Sequence, residues 1–186
     1  PRLVSSAASD VYKRQPPDAP LGSTWIEFRG AVEAPMYQHG TTSFSEWQAI
    51  RNRSAPWAEI SSDQFIMSVP SSEIRGLDDP EELMDFWVEA LEMEHELYGF
   101  MPWPRIERAA FDIQISAGWM HSGYPFMAHL VSAQEAVDLE HMESEGSWGM
   151  FHELGHNHQW NPSRLPGTTE TTCNFASVYL LSLIHI

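Results

Sequence analysis

The chain has 186 residues, with ten Lys and Arg against 26 Asp and Glu, a formal net charge of −16 and an apolar fraction of 42%. This size predicts one domain with a hydrophobic core, and the acidity argues against a nucleic-acid partner, because phosphates favour a basic surface. Without an apolar run of about 18 residues, no membrane span is expected. The lone cysteine, Cys173, excludes an internal disulfide.

The two ends of the chain do not resemble natural protein sequence. Residues 1–15 (PRLVSSAASDVYKRQ) and 182–186 (SLIHI) resemble translated adapter or cloning sequence, so we interpret both as non-native and leave them out of the fold. The alternatives are a genuine N-terminal tail and a genuine helix end. Residues 16–40, which begin rich in Pro and Gly, are interpreted as a lead-in segment or the end of a preceding β-rich region. The folded domain is expected over residues 41–181.

Short elements are predicted in the first half of the chain. Residues 25–32 (WIEFRGAV) alternate between apolar and polar side chains, which favours a strand. Ser43 and Glu46 form a capping-box pattern, which predicts a short helix that ends between residues 50 and 53. The apolar run at residues 65–69 stops at a proline and is most simply a strand.

The clearest helix is predicted to begin after Asp79. The Asp79 side chain can cap the helix, and Pro80 suits its first turn. Apolar residues follow at helical spacing and define one face, and an acidic stripe on another face is interpreted as solvated. Gly99 is placed to end this helix.

Mixed elements are predicted in the second half of the chain. They comprise strands at 109–116 and 125–131, a helix from a capping box at Ser132 to about residue 141, a break at Gly146, a buried helix at 147–158, and a last helix from Thr168 through residue 179. Mixed strands and helices followed by two helices are typical of the α+β class.

The candidate chemistry lies in the predicted helix at 147–158. Residues 152–156 read His-Glu-Leu-Gly-His, an HExxH pattern. His152 and His156 are four residues apart and therefore lie on one helix face, where both imidazoles can bind one zinc ion at about 2.0–2.1 Å. Glu153 is then placed to take a proton from metal-bound water. The alternative is a pair of partly buried histidines that hydrogen-bond to their neighbours.

A third ligand is expected on the next helix. A metzincin would carry a histidine at position 162, which is a proline, so that class is excluded. Glu170, near the start of the last helix, is the candidate, and Asn174, one turn later, could hydrogen-bond a zinc-bound histidine. The alternative for Glu170 is a first-turn acid that the helix dipole favours, and the alternative for Asn174 is an ordinary polar helix residue. His158 points to a different helix face and is not expected to be a ligand.

Several stretches resemble one protein family. Residues 149–159 (GMFHELGHNHQ) and 166–174 (PGTTETTCN) resemble the enhancin-like metallopeptidases, whose pattern is HExxH followed by a glutamate downstream. Residues 55–59 (APWAE) and 121–125 (HSGYP) are similar to further parts of the same family. The resemblance covers most of residues 40–180, so residues 41–181 are interpreted as a partial metallopeptidase domain.

The resemblance implies a fold, a cofactor and an activity. The fold would be a zincin-like domain with a small mixed sheet and an HExxH helix followed by a glutamate-bearing helix. His152, His156 and Glu170 would hold one Zn²⁺ ion and Glu153 would be the general base. The activity would be that of a gluzincin-type endopeptidase on proteins or glycoproteins such as mucins, with an extracellular or cell-surface location. A related animal group carries this domain in channel-associated proteins, in which catalysis is less clear.

Other features of the mechanism stay open at this stage. An extended substrate is expected beside an edge strand, with residues 125–131 as the candidate. The oxyanion of the transition state needs a donor, for which Arg164, Tyr124 or a residue outside this chain are candidates. A solvated loop arginine is the alternative for Arg164. A non-catalytic glycan- or protein-binding module of the same fold is the alternative function, and nothing in the sequence predicts an oligomeric state.

Overall fold

A computed structural model describes residues 25, 27, 29–99, 105–160, 162 and 164–186. The chain divides into two compact units, residues 1–31 and 32–186. Residues 1–24, which include the predicted non-native start at 1–15, lie outside the described part. In the predicted strand at 25–32, the described residues belong to no strand or helix. The strand prediction is therefore wrong for these residues, because alternation produces a strand only where a neighbouring strand supplies hydrogen bonds.

A mixed sheet of six strands forms one layer of the second unit. The strands are β1 (Met36–Gln38), β2 (Trp57–Ser61), β3 (Phe65–Pro70), β4 (Glu107–Asp112), β5 (Met120–His121) and β6 (Phe126–His129). Their order is β1-β2-β3-β4-β6-β5, with antiparallel β2/β3 and β5/β6 pairs and parallel pairs elsewhere. β1 lies within the predicted lead-in segment 16–40, so this segment contributes a strand to the sheet.

Helices form the second layer of this unit. They are α1 (Phe44–Ile50), α2 (Ser71–Ile74), α3 (Pro80–Tyr98), α4 (Ala133–Ala136), α5 (Leu139–Ser144), α6 (Trp148–His158) and α7 (Thr169–His185). The predicted α+β class is confirmed, and so is a mixed sheet with an HExxH helix followed by a glutamate-bearing helix. Among the described residues, no helix has both the length and the apolar character that a membrane crossing needs.

The local signals for α1 and α3 operate as predicted. The Ser43 side chain accepts a hydrogen bond from the backbone N–H of Glu46, and Asp79 accepts one from Glu81. Gly99 ends α3 with φ of +69°, a conformation that disfavours other residues. The two side-chain caps, at Ser43 and Asp79, satisfy backbone donors that a helix start leaves unpaired.

The helix predicted from Ser132 is broken into pieces. A 3₁₀ turn at Leu130–Ser132 leads into α4, and the separate helix α5 begins after Asp138, whose side chain caps it. The Ser132 hydroxyl caps no helix, and the Ser132 backbone is itself helical rather than extended. The hydroxyl instead accepts a hydrogen bond from the Trp119 indole N–H, 3.1 Å away.

Buried aromatic rings join α3 and α6 to the sheet. Trp87 of α3 packs 5.0 Å from the Phe65 ring of β3 and 6.3 Å from the Phe151 ring of α6, measured between centroids. The Trp87 indole N–H donates to the carbonyl of Ala136 at 3.0 Å, so this buried polar group is satisfied. The apolar side of α6 is held in the core, which leaves the side that bears His152 and His156 toward the surface.

The last helix is longer than predicted. α7 continues past residue 179 to His185, because Leu180 is buried and Leu181 and Ile184 pack against the core at helical spacing. Residues 182–185 are thus helical, and the predicted non-native origin of residues 182–186 stays a prediction.

Candidate metal centre

Three side-chain atoms from two helices converge on one point. His152 and His156 lie one turn apart on α6, and Glu170 lies in the first turn of α7. The Nε2 atoms of the two histidines are 3.1 Å apart, and each lies 3.2 Å from Oε2 of Glu170. The three atoms therefore form a nearly equilateral triangle.

This triangle fits a tetrahedral zinc ion. Bonds of about 2.0–2.1 Å place neighbouring ligand atoms roughly 3.3 Å apart, close to the observed separations. The Nδ1 atom of His152 lies 2.6 Å from the amide oxygen of Asn174, which can only accept a hydrogen bond. Nδ1 must therefore carry the proton, which leaves Nε2 as a bare lone pair. Two imidazole nitrogens and a carboxylate oxygen that converge in this way could hold a cation between them.

Asn174 contacts His152 from the other helix. It lies on α7, one turn after Glu170, and its contact with Nδ1 crosses between the two helices. A ligand histidine commonly donates its second N–H to such an acceptor, which sets both the tautomer and the ring orientation. The structure thus places Asn174 where the sequence predicted it.

Glu153 lies beside the convergent donors but is buried. The residue is only 8% exposed, and burial raises the pKa of its carboxyl group. The two neighbouring histidines and a hydrogen bond from the backbone of Ser122 act in the opposite direction. A carboxylate with a raised pKa is a better match for a general base near neutral pH.

The donors open onto a cleft of about 440 Å³. Arg164 is among its lining residues, together with Glu153 and both residues of β5. Tyr124 is not among them, because its half-exposed ring packs against the guanidinium group of Arg105, 3.9 Å from the ring centroid. Of the two oxyanion candidates from this chain, only Arg164 therefore lines the cleft.

The candidate substrate strand is not at the edge of the sheet. β6, within the predicted strand at 125–131, lies between β4 and β5 and is hydrogen-bonded on both sides. The prediction that it is an edge strand is therefore wrong. The edge strand next to β6 is β5 (Met120–His121), a two-residue strand whose residues also line the cleft.

Two neighbours of the centre were not assigned a role from the sequence. The Cys173 Sγ atom is buried 3.4 Å from Nδ1 of His152, and burial raises the pKa of this thiol to about 11. The Sγ atom donates to the Glu170 carbonyl, 3.2 Å away. Gln159 lies 3.2 Å from Nδ1 of His156. Helical spacing could have indicated both, because Cys173 lies three residues after Glu170 and Gln159 lies three residues after His156.

His158 faces away from the centre, as predicted. Its Nδ1 atom lies 2.8 Å from Oε2 of Glu94 on α3, and both side chains are fully buried. The pair joins α6 to α3 on the side opposite the cleft.

Gly155 permits the close approach of α6 and α7. A Cβ atom at this position would lie 2.5 Å from the carbonyl oxygen of Cys173 and 2.9 Å from Cβ of Ala176. We expect Gly155→Ala to push the helices apart and to lower the free energy of unfolding by about 1–3 kcal/mol. Urea denaturation measures this, with Gly76→Ala as the control because no atom lies within 4 Å of a Cβ there. Equal effects of the two substitutions would contradict the prediction.

Comparison with known proteins identifies the family. Residues 30–186 match the family described as peptidase M60, enhancin and enhancin-like. The chain belongs to this family. The resemblance predicted from the sequence is thereby confirmed for this peptidase M60 domain.

Curated relatives of the M60 chain are much longer proteins. It is 45% identical over 173 residues to TRPM8 channel-associated factor 2 of Bos taurus, and the aligned region covers 91% of this chain and 19% of the relative. It is 47% identical over 173 residues to a TRPM8 channel-associated factor homolog of Xenopus laevis, with the same coverage of 91% and 19%. The chain thus spans about a fifth of the length of these relatives.

Solved structures share the fold of the M60 chain. A conserved protein of unknown function from Bacillus anthracis aligns with a TM-score of 0.71 and 20% identity, covering 81% of this chain and 34% of that one. The M60 catalytic domain of Clostridium perfringens ZmpC, in complex with the sialyl T antigen, aligns with a TM-score of 0.65 and 15% identity, covering 81% and 33%. At these identities the likeness shows the fold alone.

Proposed function

We propose that this chain carries the metal centre of a zinc endopeptidase that hydrolyses peptide bonds in proteins, including glycoproteins such as mucins. The observation that carries the proposal is the 3.1–3.2 Å triangle of His152, His156 and Glu170, with Glu153 buried beside it. Three protein ligands leave a fourth position for water or substrate, which distinguishes catalytic from structural zinc sites.

The residues of this centre divide the chemical work among them. His152, His156 and Glu170 would hold the zinc ion, which when bound acts as a Lewis acid and lowers the pKa of water. Glu153 accepts a proton from the attacking water and returns it to the nitrogen of the leaving amine, so that the C–N bond breaks without a free amide anion.

The substrate would lie along the edge of the sheet. β5 lines the cleft and is hydrogen-bonded to a neighbouring strand on one side, so an extended peptide can add to its other side through main-chain hydrogen bonds. Arg164 lines the same cleft and is the candidate donor to the oxyanion. An extracellular or cell-surface location belongs to this proposal, because mucins are found there.

Metal removal tests the proposal. We expect the purified chain to hold one zinc ion, and a chelator to abolish cleavage of mucin and of unglycosylated casein. A site saturated at about 1,000 times its Kd stabilises the fold by roughly 4 kcal/mol, so chelation should also lower the melting temperature. Added zinc should restore both properties. A chain that binds no zinc, or that cleaves equally well after chelation, would refute the proposal.

A non-catalytic binding module of the same fold is the second candidate. It is favoured by the names of relatives at 45% and 47% identity, which are described as channel-associated factors. Its partner would then be a membrane channel protein rather than a cleaved substrate. This candidate predicts that the chain binds zinc but leaves mucin and casein intact, and that its partner binds the zinc-loaded chain and a Glu153→Gln variant equally well.

A further inference from the structure

We propose that Gln159 is a positioning residue that orients His156 toward the metal and ties the glutamate-bearing helix to the zinc helix. This inference rests on the proposed zinc centre. Gln159 directly follows α6, and its backbone N–H still bonds to the carbonyl of Gly155 at 3.0 Å, so its position is fixed by the helix. Its side chain turns from there toward α7.

The hydrogen bonds of Gln159 have only one consistent direction. Its amide nitrogen lies 2.6 Å from the carbonyl oxygen of Thr169 and 2.6 Å from Oγ1 of Thr172. The Thr169 carbonyl can only accept, so the nitrogen must face it and the amide oxygen must face His156. Nδ1 of His156, 3.2 Å from that oxygen, therefore carries the proton, and Nε2 presents its lone pair to the centre.

The same amide determines where Glu170 lies. Thr169 and Thr172 flank Glu170 in the first turn of α7, so two hydrogen bonds from Gln159 hold that turn against the end of α6. The result is the 3.2 Å separation between the Glu170 carboxylate and His156. One side chain thus sets both the tautomer of the second histidine and the position of the ligand from the other helix.

Gln159 and Asn174 form a matched pair of amides. Asn174 projects from α7 to His152, and Gln159 projects from the end of α6 to α7 while holding His156. Each ligand histidine has its own amide acceptor, and both amides cross the interface of the two helices. The sequence resemblance assigns no role to Gln159, whose two partners on α7 lie ten or more positions away in the chain.

Substitution of Gln159 separates its two tasks. Gln159→Met keeps the length of the side chain but removes every hydrogen bond that the side chain makes, whereas Gln159→Glu keeps an acceptor for His156. Thr172→Val removes the Thr172 hydroxyl, which accepts from Gln159 and donates to backbone carbonyls within one turn, and leaves the Gln159 acceptor for His156 in place. Partners of this kind typically contribute 10–100-fold to metal affinity. We expect Gln159→Met to weaken zinc binding by about that factor, and Gln159→Glu and Thr172→Val to weaken it less.

Two measurements on the 186-residue chain test the inference. Zinc affinity is measured by competition with a chelating indicator, and the His156 Nδ1–H resonance of the zinc-loaded chain is followed by NMR, because its hydrogen bond slows exchange with water. That resonance should persist in Gln159→Glu and Thr172→Val and be lost in Gln159→Met. A role confined to fold stability would lower the melting temperature of the zinc-free chain and move neither readout.

The outcomes also separate this inference from the proposed function. If the wild-type chain binds zinc and Gln159→Met binds it equally tightly, Gln159 is not a positioning residue and the zinc centre stands. If Gln159→Met does not fold, the inference is overturned when Gln159→Glu loses the Nδ1–H resonance, and supported when it keeps it. If the wild-type chain binds no zinc, the proposed function itself fails.

Discussion

Replacing Glu153 by glutamine should leave the zinc affinity nearly unchanged and lower the rate of peptide hydrolysis by about two to four orders of magnitude. Glutamine has nearly the same shape as glutamate but cannot accept the proton of the attacking water. Glu153 does not belong to the 3.1–3.2 Å donor triangle, so the metal should remain bound. Loss of activity with retained metal is the signature of a general base rather than of a ligand.

The measurement pairs zinc stoichiometry with the rate of casein cleavage in the same sample. Glu96→Gln is a matched control, since Glu96 is an exposed glutamate on α3 and is not among the residues that line the cleft. It should retain both zinc and activity. If Glu153→Gln cleaved casein at the wild-type rate, Glu153 would not be the base.

Replacing Glu94 by alanine should lower the free energy of unfolding by about 3–5 kcal/mol, the usual cost of removing one partner of a buried ion pair. Glu94 and His158 are fully buried, and their closest atoms are 2.8 Å apart. The substitution also leaves a cavity between α3 and α6. Urea denaturation measures the loss, with the exposed Glu96→Ala on the same helix as the control. A loss below about 1 kcal/mol, the range typical of surface pairs, would contradict the prediction.

The same pair makes stability depend on pH. Burial raises the pKa of Glu94 to about 7 from its ordinary value of 4.5, His158 opposes that shift, and the buried Glu107 adds to it. Between those two values the folded chain holds a proton that the unfolded chain has released. Stability should therefore fall as pH rises from about 4.5 to 7.

His158 acts in the same direction. Burial lowers its pKa, but the hydrogen bond and charge of Glu94 outweigh that effect and the pKa is raised overall. The nearby His95 is buried, and its own pKa is lowered by that burial and by the charge of His158. Denaturation at several pH values should show that Glu94→Gln gains stability relative to wild type as pH rises. A difference in the free energy of unfolding between Glu94→Gln and wild type that stays constant with pH would contradict the raised pKa of Glu94.

Local chemistry determined much of this molecule. The ends of two helices are where the sequence predicted them, at Ser43, Asp79 and Gly99, because a cap needs only neighbours within one turn. The spacing of His152 and His156 likewise places both imidazoles on one helix face in any context. Glu170 could be chosen because the motif requires a third ligand and the family pattern indicates where to look.

Only the tertiary structure decided the surroundings of the centre. The order of the strands puts β5 at the edge beside the cleft, and the hydroxyl that was expected to cap a helix accepts from the Trp119 indole instead. Cys173 comes to His152, and Gln159 to the first turn of α7, because α6 and α7 touch at Gly155, and Glu94 meets His158 from far away in the chain. A sequence specifies contacts within a turn through fixed helical geometry. Contacts between elements depend on how their faces pack in the folded core.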